Sequence, residues 1–90
     1  MTQNDKTRET VEIYNRHYTV IGHESSNHVR LVASQVDSKM RDIHNSNQQL
    51  TSTELAVLTA VNTMSDYMKL KEEYASLLGS INKKEDNRHG

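Results

Sequence analysis

From Thr51 onward the chain has no proline, and Gly79 is the only glycine before the C-terminal Gly90. Leu50-Thr51-Ser52-Thr53-Glu54-Leu55 opens this stretch with a capping box. Thr51 and Glu54 can each bind the other's orphan amide, with Leu50 and Leu55 as an apolar staple around them. With a strong start and no stop, the segment reads as one helix from Ser52 to about Lys83, about 48 Å long at 1.5 Å per residue. A compact globule of this chain length is only about 31 Å across, taking its radius of gyration as about 12 Å. The distal part of the helix has to project beyond the rest of the fold. One round globule is thereby ruled out.

The apolar pattern along this helix says what the projection is for. Its first half is almost wholly apolar, with Leu55, Ala56, Val57, Leu58, Ala60, Val61 and Met64, which implies burial on more than one side. Its second half narrows to Tyr67, Leu70, Tyr74, Leu77 and Ile81 at steps of 3, 4, 3 and 4, among Lys69, Lys71, Glu72 and Glu73. A 3–4 repeat is a coiled-coil seam, and a seam that leaves its own globule needs a second chain. Val57, Val61, Met64, Tyr67, Leu70, Tyr74, Leu77 and Ile81 are the expected self-association residues. Two heptads fall short of the three or four that mark an independent coil, so the head is expected to contribute to dimerisation. Asn62, inside the most apolar stretch, reads either as a satisfied polar group or as a register device at the dimer interface, and a hydrogen bond to the head or a partner helix is expected.

Upstream, the period is that of strands. Thr10-Val11-Glu12-Ile13-Tyr14 and His17-Tyr18-Thr19-Val20-Ile21 alternate, with Asn15-Arg16 between them. A hairpin closed at Asn15-Arg16 pairs Tyr14 with His17, Ile13 with Tyr18, Glu12 with Thr19 and Val11 with Val20. Val11, Ile13, Tyr18 and Val20 then share one face, which a slip of one residue would destroy. Gly22 ends the second strand, and Ser25 or Ser26 can cap the helix that follows. Val29, Val32, Ala33, Val36, Met40 and Ile43 make its apolar stripe, against Arg30, Ser34, Asp37, Ser38 and Arg41 on the other side. Asp37 and Arg41 stand four apart and can pair. Asn45-Ser46-Asn47-Gln48-Gln49 is a polar break.

Composition excludes whole classes of function. Hydrophobic residues are 33% of the chain, Phe and Trp are absent, and such a lean core favours self-association. Without cysteine there are no disulfides, thiolate metal sites or cysteine nucleophiles. Eleven basic against twelve acidic residues leave no basic footprint for nucleic acid. The polar start of the chain carries no apolar run, so neither a signal peptide nor a membrane anchor is expected, and the chain reads as cytoplasmic. His17, His23, His28, His44 and His89 include no i, i+4 histidine pair, so no metal site is expected. His23-Glu24-Ser25 has the residue types of a hydrolytic triad but no nucleophile turn or oxyanion loop around them. There is no glycine-rich phosphate loop. No cofactor, small-molecule substrate or enzymatic activity is expected.

The order of these elements, and the residues in them, resemble the ZapA family of Z-ring-associated bacterial cell-division proteins. The resemblance rests on Val11-Glu12-Ile13-Tyr14-Asn15-Arg16-His17-Tyr18-Thr19-Val20, on Glu24-Ser25, on His28-Val29-Arg30-Leu31-Val32-Ala33 and on Leu55-Ala56-Val57-Leu58-Thr59-Ala60-Val61-Asn62. It continues through Asp66-Tyr67-Met68-Lys69-Leu70-Lys71-Glu72-Glu73-Tyr74 and covers roughly residues 7 to 78. The short form of Gram-positive bacteria is the nearest in character. The resemblance implies a scaffold that binds FtsZ, the tubulin-like GTPase of the division ring, and aligns or cross-links its filaments at mid-cell. It implies a homodimer, with dimer against tetramer left open.

Carried over by position, the implied FtsZ-binding residues are Arg16 at the hairpin tip and Arg30, Lys39, Arg41 and His44 on the first helix. Arg30 and Arg41, eleven apart, return to nearly one angle and form a two-point basic ridge. Asn15 stands where the family commonly has Gly, and the loop at 45–49 carries no arginine. The expected fold is α+β. A flexible start (1–6) leads into a small head of hairpin and amphipathic helix (7–50). A long helix (51–83) packs on the head and then runs on as a coiled coil, ending in a frayed tail (84–90). The alternative function is a generic dimeric adaptor that recruits another division or cytoskeletal protein.

Overall fold

A computed structural model describes the backbone of residues 6–89 and the side chains of residues 6–81. The elements follow in the order β1 (Thr7–Ile13), β2 (Arg16–Gly22), α1 (Ser26–Ser46) and α2 (Ser52–His89), an α+β fold. The chain divides into two compact units, Met1–Thr59 and Ala60–Gly90. The first unit thus takes in the opening turns of α2 as well as the hairpin and α1. Of the expected lead-in at 1–6, all but Lys6 lies outside the described residues.

In the first unit, β1 and β2 form a two-stranded antiparallel sheet, and α1 packs on β1. Val11 pairs with Tyr18, Thr10 with Thr19, Glu12 with His17 and Ile13 with Arg16. Two side-chain contacts on the outer face follow this register: Thr10 Oγ1 to Thr19 Oγ1 at 3.2 Å, and His17 Nε2 to Glu12 Oε1 at 3.9 Å. The turn is therefore Tyr14-Asn15, which corrects the expected Asn15-Arg16 turn and moves the register by two residues. Because side chains alternate with period two, a shift of two leaves Val11, Ile13, Tyr18 and Val20 on one face. Segregation of faces could not tell the two registers apart.

The core is small. Val11, Val29 and Ala33 are buried together, with the partly buried Ile13 packed against them. Along α1 the stripe continues through the half-buried Val36, Met40 and Ile43, while Val32 is exposed. Ser25 is the cap: its hydroxyl accepts the His28 amide at 3.1 Å, and its extended backbone marks the helix start. At the other end the Asn47 amide donates to the Ile43 and His44 carbonyls.

α2 begins with both halves of the capping box. Thr51 N donates to Glu54 Oε1 at 3.0 Å, and Glu54 N donates to Thr51 Oγ1 at 3.1 Å. Burial in its opening turns is confined to Leu55 and to Thr59, whose hydroxyl donates to the Leu55 carbonyl at 2.7 Å. The broad burial expected of the apolar first half does not occur within one chain: Val57, Leu58, Val61 and Met64 are all exposed. The helical backbone runs to His89, beyond Lys83. Lys, Glu and Arg after Lys83 are good helix formers, and no glycine intervenes before Gly90. Nothing lies within 4 Å of a Cβ built on Gly79, so its cost is one of propensity alone.

Candidate interaction surfaces

Two surfaces stand out. The first is the hairpin tip with the face of α1 beside it. Tyr14 and Asn15 have φ of 50° and 69°, and positive φ at both central residues marks the mirror-image turn whose twist suits a hairpin. Neither is glycine, and the left-handed conformation costs about 1–2 kcal/mol for an ordinary L-residue. Asn tolerates it; Tyr has to be held there.

Asp37, Arg41 and His44 do the holding, at steps of four and three along one face of α1. The Tyr14 backbone N–H donates to Asp37 Oδ1 at 2.7 Å. Arg41 Nε donates to Asp37 Oδ2 at 2.9 Å, and Arg41 Nη2 donates to Asn15 Oδ1 at 3.1 Å. The guanidinium lies 5.4 Å from the centre of the Tyr14 ring, within cation–π range. His44 meets that ring edge-on, with centroids 6.0 Å apart. The Arg41 bond, and then the Tyr14 amide, hold the Asp37 carboxyl below its ordinary range. The same carboxylate raises the Arg41 guanidinium.

The expected cations fall into distinct environments. Arg16 is the first residue of β2, exposed, and part of none of the ion pairs among the described residues. Arg30 and Arg41 do line one polar groove with Glu12 and Asp37, as their spacing requires. Both are engaged within the chain, however. Arg30 Nη1 binds Glu9 Oε2 at 3.0 Å and its Nη2 donates to Asn27 Oδ1 at 2.6 Å, while Arg41 is held by Asp37. Each ridge guanidinium therefore has a carboxylate against it, and the ridge is an ion-paired seam. Lys39 and His44 are half-buried on α1.

Sequence reasoning passed over two contributors to this surface. Glu9 and Asn15 emerge as partners of Arg30 and Arg41 only across the fold, at separations no local pattern encodes. Among the described residues no group of three or more His, Asp or Glu could hold a metal ion, although Glu24 stands 3.9 Å from His28 one turn later.

The second surface is the exposed apolar side of α2. All eight expected self-association residues are open to solvent in the single chain, from Ile81 at 46% exposed to Leu70 at 64%. Leu58, Met68 and Leu78 are exposed as well. Each follows or adjoins a seam residue, so it lies about 100° round the helix and widens the stripe. Asn62 is exposed in the single chain. Monomeric proteins rarely expose contiguous apolar patches, so this stripe is a candidate interaction surface. No helix among the described residues is long and apolar enough to cross a membrane.

Residues 10–88 match the model of the family described as Cell division protein ZapA. The chain belongs to the ZapA family. The ZapA of Oceanobacillus iheyensis is 65% identical over 86 residues, spanning 96% of this chain and 100% of that protein. The ZapA of a Geobacillus species is 55% identical over 86 residues, covering 96% and 99%. Among solved structures, a ZapA mutant dimer from Geobacillus stearothermophilus aligns with a TM-score of 0.72 at 48% identity, over 91% of this chain and 95% of that one. Membership in the ZapA family brings with it a part in cell division.

Proposed function

We propose that this chain is a non-enzymatic scaffold of the bacterial division ring that self-associates through α2 and binds FtsZ filaments through the head. The observation that carries the reading is the pairing of two features in one family member. The apolar stripe of α2 is open from Val57 to Ile81, and an exposed Arg16 sits at the tip of a hairpin held by Asp37. The related Geobacillus stearothermophilus ZapA mutant dimer supports a homodimer, and the stripe is the surface proposed to form it. Leu70, Tyr74, Leu77 and Ile81 would supply the distal seam, with Val57, Val61, Met64 and Tyr67 nearer the head.

FtsZ as the partner rests on the resemblance to ZapA proteins together with this charge arrangement. A two-fold assembly repeats one weak site, so two filaments can be bridged without a tight single contact. Arg16 is the cation best placed for an acidic filament surface, and Lys39 and His44 on α1 are the further contacts proposed. Exposed charge contacts of this kind are screened by salt. The test is co-sedimentation with GTP-polymerised FtsZ at low and high salt. Pelleting only with filaments, and less at high salt, is the expected result. A folded dimer that stays in the supernatant at both salts would leave the assembly intact, reject FtsZ, and favour an adaptor for another division protein.

A further inference from the structure

The hairpin sequence is compatible with two registers, and what chooses between them lies outside the hairpin. With the turn at Tyr14-Asn15, Val11 faces Tyr18 and Arg16 is strand-paired with Ile13. With the turn at Asn15-Arg16, Val11 would face Val20 and Arg16 would itself become a turn residue. Both put the same four apolar residues on one face, so burial against α1 does not discriminate strongly. Local preference does not favour the observed turn either, because it puts Tyr14 rather than Asn15 at the first positive-φ position.

The groups that do discriminate sit on α1. Asp37 accepts the Tyr14 N–H, Arg41 spans from Asp37 to Asn15, and the Tyr14 ring lies between Arg41 and His44. All of these contacts need Tyr14 and Asn15 at the turn. In the other register Tyr14 becomes a strand residue opposite His17, and the turn amide offered to Asp37 is lost.

We infer that Asp37 and Arg41 are positioning residues that select the hairpin register and so fix Arg16 as a strand-paired cation at the tip. Arg41 acts through the turn, not as a contact to the partner. The consequence for filament binding rests on the function proposed above; the register itself does not.

The two roles for Arg41 predict opposite responses to charge. Asp37→Asn removes one negative charge and releases the Arg41 guanidinium. A contact cation would then bind an acidic filament as well or better. A positioning pair would bind it worse. Arg41→Lys keeps the charge but lacks the planar fork that spans Asp37 and Asn15.

The experiment measures each variant twice at unchanged solution mass. Cross-strand NMR contacts report the register, and co-sedimentation with GTP-polymerised FtsZ reports binding. Both variants are expected to show Val11–Val20 contacts beside the Val11–Tyr18 ones, faster Tyr14 amide exchange, and binding weakened by about three- to tenfold. Arg16→Glu added to Asp37→Asn is expected to lower binding less than Arg16→Glu alone, since both act at the tip. An unchanged hairpin in both variants, or undiminished binding by Asp37→Asn, overturns the inference. Wild-type chain that leaves filaments unbound contradicts the filament reading instead, and the NMR contacts still decide the register on their own.

Discussion

Arg30 Nη1 lies 3.0 Å from Glu9 Oε2, an ion pair that joins α1 to β1 across twenty-one residues of sequence. It occupies one part of the polar groove along the hairpin and α1, and the Asp37–Arg41 pair occupies another. The Arg30 side chain is 55% exposed, so water screens the pair and its contribution to stability is small. Glu9→Gln should therefore lower stability by less than about 1 kcal/mol in chemical denaturation. It also releases a guanidinium, so filament binding should hold or strengthen. Weaker binding by a fully folded Glu9→Gln variant would show that Glu9 itself is needed at the contact.

Asp37 predicts a defined pH response. Its carboxyl is held below the ordinary value of 3.8, mainly by Arg41 and then by the Tyr14 amide. A carboxyl whose pKa is lower folded than unfolded stabilises the fold above the ordinary value, and that contribution is lost as pH falls through the lowered one. The Tyr14 amide resonance should stay constant through neutral pH and move only in acid below the ordinary carboxyl midpoint. A midpoint at or above 3.8 would show that the pair does not persist in solution.

The capping box predicts a measurable loss at the start of α2. Thr51→Ala removes the acceptor for the Glu54 amide and should cost about 1 kcal/mol in thermal or chemical unfolding. Thr51→Ser keeps the hydroxyl and should cost far less. Equal losses from the two would mean that the cap contributes little and the methyl group matters more.

These elements were legible in the sequence to different degrees. The capping box is complete within four residues and stands as read, Ser25 is one of the two caps offered, and the α1 stripe holds except at the exposed Val32. The hairpin faces were legible because alternation has period two; the register was not, because a shift of two preserves every face. The observed turn depends on Asp37 and Arg41, twenty-three and twenty-six residues from their Tyr14 and Asn15 partners. The ridge itself stands as spaced, but its ion pairing was hidden for the same reason. Helical spacing set Arg30 and Arg41 on one side correctly, yet only the fold brings Glu9 up to Arg30. On α2 the broad apolar character was visible, but not that Val57, Leu58, Val61 and Met64 are exposed in one chain.

The proposed assembly through α2 can be separated from filament contact. Leu70 and Leu77 are 64% and 58% exposed in the single chain, and each Leu fully buried by a partner contributes about 1.5–3 kcal/mol. Leu70→Glu with Leu77→Glu should convert the dimer towards monomer in sedimentation equilibrium, with the hairpin's NMR contacts retained. An unchanged mass would remove the distal seam from the interface.

The central claim is that filaments are cross-linked because one head is carried twice on a paired α2. The measurement that tests it most directly is electron microscopy of GTP-polymerised FtsZ with wild-type protein and with the Leu70→Glu/Leu77→Glu variant, at matched amounts of filament-bound protein. Wild type should gather filaments into bundles, whereas the variant should decorate single filaments without joining them. A monomeric variant that bundles as well as wild type would contradict the account.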